Sequence, residues 1–218
     1  MLFSTLMVQG LLKGNKTQTR RIINVKVNDL EVGVPLSLSA IQKVNVGDII
    51  WVRETSFTMN IDDEIDGRTI EVAYKASIDE AEQKYGHITN ARGKRFIDGW
   101  KWKPSIFMRK SACRLFLKVT GVRVERLQDI SEDDAKKEGV ETSFASDSIH
   151  YEHESFKNYT WHGDGGDDSF SGFSDTKSAK DSFQSLWYKI NNKASWEENP
   201  FVWVYEFEVL RERPEGFM

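Results

Sequence analysis

Two long β-prone segments limit the architectures that this chain can adopt. Residues 112–127 alternate apolar and polar side chains on both sides of Gly121, which predicts one long strand or a hairpin broken at that glycine. Residues 201–210, which follow Pro200, predict a final strand. Few connections between the predicted strands are long enough for repeated crossover helices. The pattern therefore favours an α+β fold built on a mixed or antiparallel β-barrel.

Short helices and further strands complete the predicted order of elements. Amphipathic spacing and end signals predict helices at residues 4–13, 131–139 and 179–193. Further strands are predicted at residues 16–25, 46–55 and 70–76. In the second helix, Ser131 is placed to cap the N-terminus and Gly139 to end the helix.

Two irregular stretches interrupt this pattern, near residues 77–99 and 141–177. The second is rich in Ser, Asp and Gly with isolated aromatic residues, and long structureless loops in compact domains usually carry function or are disordered. We interpret it as a mobile excursion over one face. With no internal repeat and no convincing linker, we expect residues 1–218 to form a single domain with two insertions.

Composition narrows the class of protein. The chain has 218 residues, of which 39% are hydrophobic and 29% charged, as in ordinary globular proteins. No apolar run approaches the roughly 18 residues of a membrane span, and the apolar N-terminus lacks the basic region of a signal peptide. Cys113 is the single cysteine, so no internal disulfide can form. A cytoplasmic protein without membrane contact is expected.

The distribution of charge matters more than its sum. A net charge of −4 argues against a protein that coats nucleic acid indiscriminately. Basic residues nevertheless cluster at 13–21 and again at 94–114, so one face could meet a polyanion. The alternative interpretation is that these clusters are solvated surface.

Residues 14–21, GNKTQTRR, satisfy the pattern G-x-K-T-x-T-x-R after a predicted helix. With this pattern the chain resembles the ASCH domains, which share a PUA-like barrel, and in particular the ASCH-type proteins encoded by phages and prophages. The resemblance extends to further segments, in order along the chain: WVRET at 51–55, WKPSIFM at 102–108, residues 114–139, SLWYKIN at 185–191 and NPFVWVYEF at 199–207.

This resemblance implies a PUA-like barrel with a cleft used on RNA, nucleotides or nucleosides. One small bacterial member is an amidohydrolase that deacetylates N-acetylcytidine with a Lys, a Thr and a Glu. Lys16, Thr19 and Glu138 match those three catalytic residues. This chain departs from that enzyme in its greater length and its two insertions.

The implied chemistry requires an activated hydroxyl. Thr19 is a weak nucleophile unless a base lies within hydrogen-bond reach. Lys16 can be that base only if its pKa falls by about three units, or roughly 4 kcal/mol. Arg20 and Arg21 nearby would each favour the neutral amine, whereas Glu138 would oppose them. Desolvation of the amine must then supply the rest of the required fall in the Lys16 pKa.

Local geometry imposes a second condition on Lys16 and Thr19. Residues three apart in a regular strand point to opposite faces. The two side chains can therefore converge only if the chain turns or bulges after Gly14. In the alternative interpretation, Thr17 and Thr19 are simply β-formers and Lys16 is solvated.

The same segment also suits binding without catalysis. Its cations could hold phosphates while a tryptophan stacks on a base, and three phosphate contacts on a single strand predict a salt slope of about −2. The predicted substrate-binding residues are Thr17, Arg20, Arg21, Trp51, Arg53, Glu54, Trp100 and Trp102. For the tryptophans, the alternative is that they pack in the protein's own core.

No metal or cofactor is predicted. His150, His153 and His162 lie near Asp164, Asp167 and Asp168, but their spacing matches no zinc or calcium signature. Cys113 lacks an identifiable base and is interpreted as a core residue.

The sequence as a whole predicts a protein that binds RNA, single-stranded nucleic acid or a modified nucleoside. The alternatives are an amidohydrolase acting on an acylated cytidine, a ribonuclease, and a non-catalytic phage factor with a host protein as its partner.

Overall fold

A computed structural model describes residues 1–23, 42–63, 67–79, 101–146, 152–159 and 176–217. It confirms the α+β class. The described helices are α1 (Thr5–Lys13), α2 (Glu132–Lys137), α3 (Ala179–Asn191) and α4 (Lys193–Glu197). The described strands are β1 (Gln18–Ile22), β2 (Ile49–Trp51), β3 (Ser56–Asp63), β4 (Gly67–Tyr74), β5 (Phe116–Arg126), β6 (Thr142–Ser146), β7 (Glu152–Phe156) and β8 (Phe201–Leu210).

Four of these strands form one sheet in the order β1, β8, β5, β2. In the antiparallel pair of β1 and β8, Thr19 lies opposite Tyr205 and Arg21 opposite Trp203. The other strands form two separate antiparallel hairpins, β3 with β4 and β6 with β7. Within the described ranges the four-stranded sheet is open, with β1 and β2 at its edges, and does not close into a barrel. The PUA-like barrel stays a prediction.

The chain divides into two compact units, which are taken one at a time below. The first unit consists of Met1–Leu12, Ile50–Leu117 and Val209–Met218. The second unit consists of Lys13–Ile49 and Lys118–Glu208. The single domain expected from the sequence stays a prediction.

In the first unit, the start of the chain pairs with residues that follow β2. The backbone N–H of Arg53 donates to the carbonyl of Met1 at 2.9 Å, and that of Phe3 donates to the carbonyl of Arg53 at 3.1 Å. Val52 and Leu115 are buried in this unit. The N-terminal residues are therefore part of the packed structure, because their backbone groups are paired.

In the second unit, the amphipathic helix α3 packs on the sheet. Its buried residues include Phe183, Leu186 and Trp187, as its 3.6-residue spacing predicts. Phe183 and Trp187 join a core cluster with Val202 and Val204 of β8. This cluster covers the face of β8 that carries its even-numbered residues, since successive side chains of a strand point to opposite faces.

Helix α2 confirms the predicted short helix and its end signals. The Ser131 side chain accepts a hydrogen bond from the Asp134 N–H, which is the expected cap. Gly139 follows the helix with a φ of 83°, a left-handed conformation that favours glycine. The Asp134 carboxylate accepts from Arg20 of β1 and Arg123 of β5, which ties the first turn of α2 to both strands.

The structure decides between the two interpretations of residues 112–127, one long strand or a hairpin. β5 runs without interruption through Gly121, so the single-strand alternative is right and the hairpin alternative is wrong. A Cβ at Gly121 would lie 2.9 Å from Oε2 and 3.4 Å from the Cβ of Glu206, so the Glu206 side chain lies close against this glycine.

The interpretation of residues 141–177 as irregular is wrong for its described part. β6 and β7 form an antiparallel hairpin there, with Thr142 opposite Phe156. The predicted insertion at 77–99 lies outside the described residues except for 77–79. Where the structure is described, it has no helix with both the length and the apolar character to cross a bilayer.

Candidate functional site

The segment that links α1 to β1 lies between β8 and the end of α2. The Thr17 N–H donates to the carbonyl of Lys137 at 2.9 Å, and the Phe207 N–H donates to the carbonyl of Thr17 at 2.9 Å. Lys16 and Glu138 form an isolated antiparallel bridge. The last residues of α2 therefore pair with the chain just before β1, which fixes the backbones of the predicted lysine and glutamate side by side.

The side chains of Lys16 and Glu138 form a buried ion pair. The Lys16 Nζ donates to the Glu138 Oε2 at 2.7 Å and to the Glu138 carbonyl at 2.7 Å. Only 1% of Lys16 and 3% of Glu138 is exposed. Burial lowers the pKa of the Lys16 amine, Glu138 opposes that shift, and Arg21 and Arg20 reinforce it. Burial thus favours the neutral form of this amine relative to that of a surface lysine.

Arg20 holds the other oxygen of the same carboxylate. Its Nη1 donates to the Glu138 Oε1 at 3.1 Å, while its Nη2 contacts Glu125 and donates to the Asp134 Oδ2 at 3.3 Å. The guanidinium also lies 5.7 Å from the centre of the Phe183 ring. Because Arg20 is buried and bonded to three carboxylates, it is positioned to orient Glu138 rather than to meet solvent.

Arg123 extends this network and was not singled out in the sequence. It donates to Glu125 at 3.1 Å, to Asp134 at 2.6 Å and to Glu206 at 2.6 Å. The charge pattern of β5 offers one signal, since residues 123 and 125 share a face of the strand. Their partners on β8 and α2 follow only from the three-dimensional register.

Thr19 and Arg21 lie on the opposite face of β1 from Arg20. They face the same way as Tyr205 and Trp203, whose rings stack at 6.5 Å. The Thr19 hydroxyl is buried and has no hydrogen-bond partner within the described ranges, which is unusual for a buried hydroxyl. Arg21 interacts electrostatically with Glu138 and with Tyr205.

The regularity of β1 decides to which face each side chain near Lys16 points. β1 is regular from Gln18 onward, so Thr19 and Arg20 point to opposite faces. The charges of Arg20 and Arg21, which lie on different faces, nevertheless both lower the pKa of the Lys16 amine. The Lys16 amine shares the Glu138 carboxylate with Arg20, whereas its convergence with Thr19 stays a prediction.

The predicted site residues Trp51, Arg53, Glu54 and Trp102 belong to the first unit, whereas the Lys16 cluster belongs to the second. Arg53 lies 5.0 Å from the Trp51 ring and donates to the carbonyl of Ile106. The Trp102 ring meets Phe57 edge-on at 6.4 Å. These side chains contact neighbours within their own unit.

Glu54 forms a second buried ion pair, within the first unit. Arg114 donates to its two oxygens from Nε and Nη2, both at 3.0 Å. Arg114 also donates to the Ser77 hydroxyl at 3.0 Å and lies 3.9 Å from the Tyr74 ring. Burial raises the pKa of Glu54, and the bonds from Arg114 oppose that shift. The Arg114 guanidinium thus binds the Glu54 carboxylate in a bidentate ion pair.

A surface of the first unit lies in the basic cluster that the sequence predicts at 94–114, but its exposed aromatic residue was not singled out. Residues 101–110 contain basic residues and no acidic ones. Within them Phe107 is 69% exposed and Ile106 is 54% exposed, while Lys103 and Arg109 are exposed beside them. The sequence motif directed attention to Trp102, but the exposed aromatic ring in this stretch is Phe107.

Several predicted groups lie outside the described residues: Trp100, His150, His162, Asp164, Asp167 and Asp168. The described ranges contain no cluster of three side chains that could hold a metal ion. Cys113 is buried, and its thiol lies 3.1 Å from the Leu115 carbonyl. Burial raises the pKa of this thiol, which disfavours the nucleophilic thiolate.

The Lys16 cluster combines an amine whose pKa is lowered and a carboxylate that holds this amine, and the Thr19 hydroxyl lies three residues further along the same segment. A neutral amine at Lys16 could donate both its hydrogens to Glu138 and keep its lone pair for a proton. The arrangement thus suits proton transfer. A scan against protein-family models, a search of curated proteins and a search of solved structures each found no match for this chain.

Proposed function

We propose that this chain is an ASCH-type, PUA-like protein that binds a nucleoside beside Lys16 and hydrolyses the exocyclic amide of an N-acylated cytidine. The observation that carries the proposal is the buried Lys16 amine, bonded twice to Glu138, on the same segment as the buried Thr19 hydroxyl, which has no hydrogen-bond partner among the described residues. The resemblance of residues 14–21 and 114–139 to ASCH domains supports the substrate class.

The charge state of the cluster favours a small ligand over a phosphate backbone. Lys16 and Arg20 are buried and paired with carboxylates, so neither is available for a solvated phosphate. Phosphate binding relies on cations that exchange their counterions for the backbone. An uncharged acylated base requires no such exchange and offers an amide carbonyl.

The reaction begins with the neutral Lys16 amine. The amine accepts the Thr19 proton as the hydroxyl oxygen bonds to the amide carbonyl carbon, which requires these groups to come within about 3 Å in the substrate complex. The carbon–nitrogen bond then breaks, and the proton passes from Lys16 to the departing exocyclic nitrogen. Water cleaves the resulting Thr19 ester and releases the carboxylic acid. Glu138 holds the amine throughout.

Incubation with N-acetylcytidine, with release of cytidine followed by chromatography, tests the proposal. Thr19→Ala and Lys16→Ala are each expected to lower kcat by at least about 10²-fold, the lower end of the range for loss of a general base. Thr120→Ala, an exposed threonine on β5, is the matched control and should keep its rate. Turnover that survives in Thr19→Ala would rule out the acyl-enzyme route.

A second candidate function, binding of single-stranded RNA, rests on the exposed surface at 101–110. Phe107 offers a ring for stacking, and Lys103 and Arg109 beside it are exposed cations. Phe107→Ala is expected to weaken RNA binding by about 1–3 kcal/mol. With three phosphate contacts, a fourfold rise in salt should weaken binding about 18-fold.

Measured RNA binding that is indifferent to salt and to Phe107 would contradict this second candidate. Gel analysis of the RNA after incubation separates binding from the ribonuclease alternative, because only a ribonuclease shortens the strand.

A further inference from the structure

Gly139 combines two constraints that a helix-ending glycine does not ordinarily combine. Its φ of 83° is left-handed, as expected after a helix. In addition, a Cβ at this position would lie 2.7 Å from the Lys16 Cβ and 3.3 Å from the Lys16 Cα. The nearest atoms belong to the root of the Lys16 side chain and its backbone, so they cannot swing aside as the far end of a flexible side chain could.

Other left-handed glycines in the described ranges lack this contact. Gly14, Gly47 and Gly216 have φ values of 80°, 95° and 73°, and a Cβ at any of them would meet nothing within 4 Å. The backbone conformation alone is thus a shared property of these turns. The close approach to another residue distinguishes Gly139 from them.

The contact lies where the end of α2 pairs with residues 16 and 17. The Thr17 N–H donates to the carbonyl of Lys137, and the Lys16 amine donates to the backbone carbonyl and to Oε2 of Glu138, both at 2.7 Å. Any side chain at Gly139 would push the Lys16 backbone away from the end of α2. The amine would then be drawn out from the buried position in which Glu138 holds it.

We infer that Gly139 is a positioning residue: its missing side chain lets the Lys16 backbone lie against the end of α2, so that the lysine amine seats on Glu138. The catalytic consequence of this inference rests on the proposed amide hydrolysis. The seating of the amine does not depend on it, because it is a property of the protein without substrate.

The test compares Gly139→Ala with Gly47→Ala, which carries the same backbone strain without the contact. NMR of labelled lysine side chains follows the Lys16 titration, with Lys16→Met assigning the signal. In Gly139→Ala the titration should move up toward the ordinary lysine pKa as burial is relieved, and kcat should fall about 10–100-fold with little change in KM. Gly47→Ala should leave both unchanged.

A second substitution separates strain from crowding. Asn tolerates the left-handed conformation better than Ala but still carries a Cβ. Gly139→Asn should therefore fold more readily than Gly139→Ala and yet show the same displaced titration. A wild-type Lys16 titration in Gly139→Asn would overturn the inference and leave Gly139 as a helix-ending residue only.

The two proposals fail separately. If the wild-type protein releases no cytidine, amide hydrolysis fails, while the NMR comparison still decides whether Gly139 seats the amine. If the wild-type protein turns over substrate but Lys16 titrates as in the wild type in both Gly139→Ala and Gly139→Asn, only the positioning role fails.

Discussion

Among the residues that the structure describes, each unit buries one glutamate against a basic side chain, and the two pairs are built differently. In the first unit, Arg114 binds both oxygens of Glu54 at 3.0 Å. In the second unit, the two oxygens of Glu138 are divided between Lys16 at 2.7 Å and Arg20 at 3.1 Å. Exposure is similarly low for the two glutamates, at 1% for Glu54 and 3% for Glu138.

The difference teaches that burial of charge does not by itself mark a reactive site. A guanidinium stays protonated at any pH a protein experiences, so Arg114 can hold Glu54 but cannot exchange a proton with it. A buried lysine can lose its proton, and burial makes that loss easier for Lys16. The identity of the cation separates the two regions, and the following substitutions test that distinction.

The largest expected effect comes from exchanging the cations. Lys16→Arg keeps the positive charge but removes the titratable amine, so kcat/KM should fall about 10²–10⁴-fold. Arg114→Lys, the reciprocal change in the first unit, should lower stability by about 1–3 kcal/mol through the lost bidentate bond and leave kcat/KM unchanged. Cytidine release and thermal unfolding measure the two outcomes. An active Lys16→Arg protein would remove the distinction between the pairs.

Removal of each glutamate should separate the pairs by stability. Glu138→Ala leaves a buried lysine without its carboxylate and is expected to lower the free energy of unfolding by about 3–5 kcal/mol. Glu54→Ala should cost less, about 1–3 kcal/mol, because 23% of the Arg114 side chain is already exposed and can turn to water.

Denaturant unfolding of both variants measures these losses. Glu141→Ala is the matched control, since Glu141 pairs with the exposed Lys157 at 3.0 Å and should be worth about 0–1 kcal/mol. Equal losses for Glu138→Ala and Glu141→Ala would mean that the Lys16 pair behaves as a surface ion pair.

Alkaline pH should reveal Lys16 directly. Its pKa is lowered from 10.5 in the folded protein, so the unfolded chain binds one more proton between the folded pKa and 10.5. The stability of the wild type relative to Lys16→Met should therefore rise with pH across that window, by at most about 1.4 kcal/mol per pH unit. Parallel stability curves for the two proteins would contradict a lowered pKa.

The smallest expected effect lies at acid pH and has the opposite sign. Burial raises the pKa of Glu54 above 4.5, so the folded protein retains a proton that the unfolded chain has lost. The stability of the wild type relative to Glu54→Gln should be greatest below pH 4.5 and fall as pH rises through the folded pKa. Arg114 opposes the shift, which keeps the effect small. Urea unfolding from pH 4 to 7 measures it, and a difference that rises with pH would contradict it.

Local sequence signals predicted the elements that depend on nearby residues. The stripe of α3, the cap and stop of α2 and the strand β8 all follow from spacing and end residues. Lys16 and Glu138 were paired by the family resemblance, not by spacing. No local signal could place them together, because 122 residues separate them.

Other features depended on register and packing, which a single sequence does not specify. Arg123 and Glu206 meet because β5 and β8 are neighbours in the sheet, and a slip of either strand by one residue would put the two side chains on opposite faces. The hairpin of β6 and β7 lies in a stretch whose Ser and Asp content resembles that of loops. Phe107 was passed over because exposure cannot be read from residue type.

The pairing of residues 16 and 17 with distant partners bears on biosynthesis. A nascent polypeptide on the ribosome carries Lys16 early, but it has no Glu138 until 122 more residues have been added. The Thr17 carbonyl gains its hydrogen bond later still, because the donor is the Phe207 N–H. Loop closure of this size is slow compared with local contacts. The buried site of the Lys16 amine therefore cannot be assembled during translation of the first half of the chain, and it is complete only after residues 138–207 have emerged and folded back.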